Sequence, residues 1–212
     1  LSYLMNLLLL SNSTSPRGYL VDALPAIAEL TAGRKRAVFA PFASIVRSWD
    51  EATQRVRDAL APLALDITAL HQAADPLAAC ADAEVVIVGG GNTFHLLHHC
   101  RNLGLLPALR GAVERGAAYL GWSAGANLAG PSIRTTNDMP VTDPQGLDAL
   151  GLVPLQINPH YSNVLPEGLH GETRNERIAE FTRVWPLVHV LGLPEGTWLR
   201  VQGRDRQLGG PH

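Results

Sequence analysis

Ala117-Ala118-Tyr119-Leu120-Gly121-Trp122-Ser123-Ala124-Gly125-Ala126-Asn127 decides how the rest of this chain is read. An apolar run closes on Gly-Trp-Ser-Ala-Gly and passes into small residues that a helix accepts. The order is strand, sharp turn, helix, with a serine at the apex. Gly121 and Gly125 flank Ser123 at the G-x-S-x-G spacing, where a side chain two positions before or after the serine would collide in so tight a turn. The turn lifts the hydroxyl clear of the sheet. It also aims the first amides of the following helix at whatever the oxygen attacks. A glycine-rich connection around a buried serine would carry the same five letters, so the reading needs partner groups elsewhere in the chain.

Strand and helix signals alternate on both sides of this stretch. Leu7–Leu10, Arg36–Ala40, Leu65–Leu70, Glu84–Val88, Leu152–Ile157 and Val188–Leu193 read as strands. Leu20–Thr31, Trp49–Leu60, Pro76–Ala83, Leu105–Arg115 and Thr173–Trp185 read as helices, and helix-like residues run on from Phe94 to Cys100. Short unbroken apolar runs separated by helices predict an α/β fold, a doubly wound and mostly parallel sheet covered on both faces. Thr197–Val201 and Arg206–Leu208 close the chain as an antiparallel hairpin, and Ile133–Gly151 is turn-rich and polar. No repeat or low-complexity linker interrupts the pattern.

With 212 residues, the chain is expected to be one catalytic domain. Its net charge of −2 offers no basic face for nucleic acid. The apolar start, Leu1 to Leu10, lacks a basic flank and a cleavage site and is too short to span a bilayer, so no membrane partner is expected; Leu1–Leu4 is read as preceding a natural start at Met5. Cys80 and Cys100, the only cysteines, cannot make a disulfide framework, which fits a reducing cytoplasm.

A serine hydroxyl becomes a nucleophile only when a base takes its proton. Of the eight histidines, His160 ends the strand Leu155-Gln156-Ile157-Asn158-Pro159-His160, at the carboxyl edge where open α/β sheets bind ligands. His95, His98 and His99 share a predicted helix; His95 and His99 could meet a metal on one face, but no third ligand stands at a suitable spacing, so a solvated face is expected. His71, His170 and His189 have no special context, and His212 is terminal. The base needs a carboxylate in turn. Glu195, in Leu193-Pro194-Glu195-Gly196, leaves a strand end; Asp138, in Thr136-Asn137-Asp138-Met139-Pro140, competes from mid-loop. The order Ser, His, acid differs from the Ser, acid, His of α/β-hydrolases.

Gly89-Gly90-Gly91-Asn92 lacks the endings of a phosphate loop or dinucleotide fingerprint. An amide of Gly90 or Gly91, with that of Ala124, would instead make an oxyanion hole. Thr173-Arg174-Asn175-Glu176 has capping-box spacing, which sets Arg174 in a first helical turn, where a cation opposes the helix dipole. A bound anion such as a substrate carboxylate would account for that; Arg134 is the second candidate and Asn92 a further substrate-binding residue.

These stretches, above all Val88-Gly89-Gly90-Gly91-Asn92-Thr93-Phe94, Gly121 to Asn127, Ile133 to Pro140, Gln156 to His160 and Gly192 to Gly196, resemble the peptidase E family of α-aspartyl dipeptidases, from about Met5 to the end. The resemblance implies a class I glutamine-amidotransferase-like, flavodoxin-like fold and a serine peptidase that cleaves dipeptides with N-terminal aspartate and needs no metal or other cofactor. It implies Ser123 as nucleophile, His160 as base and Glu195 as third member, with Asp138 the rival acid. The family's chain normally continues past Leu208-Gly209-Gly210-Pro211 with another strand or two. A related hydrolase of β-aspartyl, cyanophycinase-like specificity and a binding module without turnover are the competing expectations. A homodimer is a plausible assembly for a small α/β enzyme.

Overall fold

The computed structural model describes residues 5–210; the readings made on Leu1–Leu4 and on His212 fall outside them. The elements run β1 (Asn6–Leu10), β2 (Thr14–Ser15), β3 (Gly18–Tyr19), α1 (Leu24–Thr31), β4 (Arg36–Ala40), α2 (Trp49–Leu60), β5 (Asp66–Ala69), α3 (Pro76–Asp82), β6 (Val85–Val88), α4 (Thr93–Asn102), α5 (Leu105–Glu114), β7 (Ala118–Trp122) and α6 (Ala124–Leu128). After a long connection come β8 (Leu155–Asn158), α7 (Arg174–Val184), β9 (His189–Gly192), β10 (Trp198–Gln202) and β11 (Asp205–Gly209). The main sheet has the order β11-β10-β1-β7-β6-β4-β5. The strands from β1 to β5 in that order are parallel, and β10 and β11 add an antiparallel edge beside β1.

Successive side chains of a strand point to opposite faces, so one run of apolar residues feeds two cores. Leu7, Leu9, Val86, Val88 and Tyr119 pack under α4, α5 and α6, whereas Leu8, Leu10, Val85, Ile87, Leu120 and Trp122 pack under α1 and α2. That double covering is why these strands read as unbroken apolar segments rather than as alternation.

Three local outcomes depart from the sequence expectation. The helix expected from Leu20 begins at Leu24, because Leu20 adopts a φ of 60° and its amide bonds the Ser13 carbonyl, closing the β2–β3 ribbon first. Pro25 then suits the first turn of α1, where its missing N–H costs nothing. Second, β8 and β9 pair with each other in parallel as a separate small sheet instead of joining the main one. Third, His95, His98 and His99 do not form a solvated face. The His99 ring packs 5.9 Å from Phe42 and 4.9 Å from Trp49, because α4 turns this side toward the loop after β4.

Candidate active site

Residues 121–125 form the sharp turn expected of them. Ser123 takes φ 51° and ψ −111°, a conformation that costs of order 1–3 kcal/mol and persists only where its surroundings impose it. Here they do: the Ser123 amide donates to the Leu10 carbonyl on β1, and its own carbonyl receives the Asn127 amide of α6, each at 3.0 Å. A β-carbon on Gly121 would stand 2.5 Å from the Gly125 carbonyl oxygen, and one on Gly125 would press into the Val88 carbonyl of β6. The two glycines let α6 settle against the strand ends. Asn127, fully buried, donates from Nδ2 to the Ile157 carbonyl at 2.6 Å and so ties α6 to β8.

β8 delivers His160 to the same rim. His160 also has a positive φ, 53°, and its amide donates to the Ser11 hydroxyl at 2.9 Å, while that hydroxyl donates to the Leu193 carbonyl at 2.8 Å. Ser11 thereby pins the ends of β8 and β9 to the end of β1. The Ser123 hydroxyl lies 2.8 Å from His160 Nε2, and His160 Nδ1 lies 2.8 Å from Glu195 Oε1. With the Nδ1 proton directed at the carboxylate, Nε2 is left as an acceptor for the serine proton. The imidazole and carboxylate side chains are 41% and 66% exposed, so water screens their attraction and orientation counts for more than ion-pair energy.

Asp138 reaches the same region but is engaged otherwise. Its Oδ2 accepts from the Thr93 amide at 2.8 Å, the Thr93 hydroxyl at 2.6 Å and the Thr136 hydroxyl at 3.1 Å. A carboxylate on the first turn of α4 is favoured by the helix dipole. Asn92 is the N-cap of α4: its Oδ1 accepts from the His95 amide, and its Nδ2 donates to the Met139 carbonyl. Gly90 stands against the serine, since a β-carbon there would be 3.2 Å from Ser123 Cβ. Neither Gly90 nor Gly91 donates its amide to a backbone acceptor among the described residues.

Residues 7–209 match the family described as Peptidase family S51. The chain belongs to that family. It is 59% identical to a peptidase E of Citrobacter koseri and 57% identical to one of Shigella flexneri, in each case over 98% of this chain and 91% of the relative. A candidate peptidase E structure from Listeria monocytogenes EGD-e shares the fold, with a TM-score of 0.69 at 22% identity over 98% of this chain and 99% of the other. A peptidase from an acI-B1 actinobacterium has a TM-score of 0.68 at 17% identity, over 98% and 88%. The chain is thus a serine peptidase.

In this S51 peptidase the serine opens into a cleft of about 670 Å³ whose wall includes Ser123, His160, Glu195, Asp138, Asn92 and the Gly89–Gly91 turn. Tyr19, Trp122, Arg47 and Arg55, none of them among the site residues expected from sequence, also belong to that wall. The signal for Trp122 lay inside the serine stretch, but Tyr19 and the arginines lie far from any motif. Trp122 stacks on Phe39 at 6.4 Å and meets Tyr19 edge to face at 6.1 Å. Burial pushes the Tyr19 phenol up to about 12, against the pull of Arg55, Arg47 and the bond from Trp122.

Arg174 and Arg134 do not line the cleft. Arg174 Nη1 donates at 2.8 Å to Asn158 Oδ1, two residues before His160, and Arg134 lies 4.8 Å over the Trp185 ring. Arg174 does occupy the first turn of α7, behind a capping box of Thr173 and Glu176. Cys80 and Cys100 are buried, and burial pushes their thiols up to about 11 and about 12, so neither offers a thiolate. Among the described residues no cluster of three or more His, Cys, Asp or Glu could hold a metal ion, and no helix is long and apolar enough to cross a membrane.

Proposed function

We propose that this S51 peptidase is a dipeptidase that removes N-terminal aspartate from Asp-X substrates through an acyl-enzyme. The observation that carries the chemistry is the unbroken run of short contacts from Ser123 through His160 to Glu195. The Asp-X specificity rests on the resemblance to the peptidase E family read in the sequence, and relatives of that name support it. His160 Nε2 takes the hydroxyl proton as Ser123 Oγ attacks the aspartyl carbonyl carbon. Glu195 fixes the imidazole tautomer and stabilises the imidazolium. The amides of Ala124 and of Gly90 or Gly91 receive the oxyanion. His160 then protonates the leaving amine, the C–N bond breaks, and a water deprotonated by the same imidazole releases aspartate and restores the serine.

Arg174 is assigned to the aspartyl side-chain carboxylate. Its place in the first turn of α7, with no ion-pair partner among the described residues, supports that role. The bond to Asn158 leaves the remaining guanidinium donors for a ligand. Asn92 and Arg134 act as supporting residues, Asn92 from the cleft wall and Arg134 from beside Trp185. One catalytic domain, a cytoplasmic setting and a homodimer complete the proposal; the two buried thiols fit a reducing compartment.

The deciding assay measures Asp-Leu, Ala-Leu and β-Asp-Arg hydrolysis by the parent protein and by Ser123→Ala. Turnover of Asp-Leu alone, lost in Ser123→Ala, supports the proposal. Cleavage of β-Asp-Arg in preference would replace it with the cyanophycinase-like reading. No turnover and no labelling of Ser123 by a serine-directed reagent would leave a binding module.

A further inference from the structure

Two positive side chains in the cleft have no part in the chemistry above. Arg47 ends the loop Ser44-Ile45-Val46-Arg47 after β4, Arg55 projects from α2, and both line the cavity that holds Ser123. The acids near them are already engaged. Glu51 accepts from the Ser48 amide at 2.8 Å, and Asp50 is held by His71 at 2.6 Å and by Gln72 at 2.8 Å. Neither Arg47 nor Arg55 forms an ion pair or donates a side-chain hydrogen bond among the described residues. Arg55 is nevertheless held in place, because its Cζ stands 4.0 Å over the Tyr19 ring, which in turn meets Trp122 beside the serine. Stacking occupies the face of a guanidinium and leaves its in-plane N–H donors for a carboxylate.

The position of this pair relative to the serine matters as much as its charge. In strand order β1 and β4 lie on opposite sides of β7. His160 is pinned to the end of β1 through Ser11, with Asn158 and its partner Arg174 just behind it. Arg47 and Arg55 belong to the loop and the helix that follow β4. Cations thus come both from the segment after β8, which carries His160, and from the segment after β4, an arrangement that suits a substrate with a carboxylate on each side of the scissile bond. An Asp-X dipeptide is such a substrate. The loop after β4 also carries apolar surface: Ile45 is 51% and Val46 99% exposed, and both line the cleft beside Arg47. A residue with a side chain and a free terminal carboxylate would use both features, whereas an aspartyl side chain would leave the apolar rim unused.

We propose that Arg47 and Arg55, with Ile45 and Val46, form the subsite for the leaving residue, binding its terminal carboxylate on the guanidinium groups and its side chain on the apolar rim. The inference rests on the Asp-X reading above. It accounts for a restriction to dipeptides, since any extension of the chain replaces the paired carboxylate with a neutral amide.

The test compares Asp-Leu with Asp-Leu-amide for the parent, Arg47→Met, Arg55→Met and Arg55→Lys. The parent is expected to favour the free acid. Each Met variant raises KM for Asp-Leu by about 10- to 100-fold, the scale of a lost charge-assisted hydrogen bond, with kcat close to the parent's. The amide, which has no carboxylate to lose, keeps its parental kcat/KM, and Arg55→Lys recovers part of the loss on Asp-Leu. An equal fall on both substrates, or an unchanged KM for Asp-Leu in both Met variants, overturns the subsite while leaving the Asp-X reading intact. Should Arg55→Met fail to fold, Arg47→Met decides, because among the described residues the Arg47 guanidinium packs on no ring and bonds no group. A parent that cleaves neither substrate would remove the Asp-X reading itself, and this subsite with it.

Discussion

Ser123 Oγ and His160 Nε2 stand 2.8 Å apart although 37 residues separate them in sequence, and each residue holds a positive φ. The closeness depends on the Ser11 hydroxyl, which ties the ends of β8 and β9 to β1, on the Ser123 amide, which bonds the Leu10 carbonyl of β1, and on Asn127 Nδ2, which ties α6 to β8. Removal of the hydroxyl in Ser123→Ala is expected to lower kcat on Asp-Leu by about four orders of magnitude or more, as loss of an activated nucleophile does elsewhere. Single-turnover measurement with active-site titration checks it.

Glu195 and Asp138 are separated by what each one holds. Glu195→Gln removes the charge facing His160 Nδ1, and kcat should fall by about two to four orders of magnitude with the thermal midpoint nearly unchanged, because the carboxylate is exposed. Asp138→Asn disturbs the bonds to Thr93 and Thr136 at the start of α4 instead. It should cost about 1 kcal/mol of stability and less than tenfold in kcat. The reverse pattern in paired kinetics and melting curves would transfer the triad role to Asp138.

The strain at Ser123 predicts a gain from a disabling change. Glycine adopts positive φ without penalty, so Ser123→Gly should be more stable than Ser123→Ala by about 1 kcal/mol although both are inactive. Urea unfolding of the two variants measures the difference. Equal stabilities would mean that the turn relaxes once the hydroxyl is gone.

Much of this was legible in the chain because a sharp turn and a doubly covered sheet leave local marks. The G-x-S-x-G spacing, the apolar run Val85–Val88 and the strand before His160 carry their structure in their own letters. What escaped depends on contacts between distant segments. Nothing near Arg55 announces Tyr19, 36 residues earlier (55 − 19), as the ring beneath it. The β8–β9 pairing looks in sequence like two more strands of the main sheet, since an apolar run does not say which edge it joins. The His95–His99 face read as solvated because only the fold brings Phe42 and Trp49 to it.

Glycines of this chain are expected to respond in opposite senses to the same methyl group. Gly125→Ala drives a β-carbon into the Val88 carbonyl, a strand backbone that cannot yield, and should cost about 3 kcal/mol and most of the activity. In Gly111→Ala the new carbon lies 3.1 Å from Arg115 Nη1, the movable end of a long side chain, inside α5. There the lower entropy of the unfolded chain should add about 0.5–1 kcal/mol with activity unchanged. Denaturant midpoints for the two variants check the contrast.

Acid sensitivity should begin at the histidine cluster. Burial lowers the pKa of His95 and of His99, and the charge of His98 lowers both further. Their folded values thus lie below the usual 6.5. The neutral rings contribute stability in full above that pH, and the contribution is lost as pH falls through the lower folded values. The carboxylates held low by bonds to backbone amides, Glu51, Glu84 and Glu176, act in a separate window below their usual 4.5. A scan of urea midpoints from pH 8 to 5 should therefore fall at its acid end before any of these carboxylates titrates. His99→Phe keeps a ring against Phe42 and Trp49 and removes the charge, so it should flatten that part of the scan. A parental slope in His99→Phe would assign the acid loss to other groups.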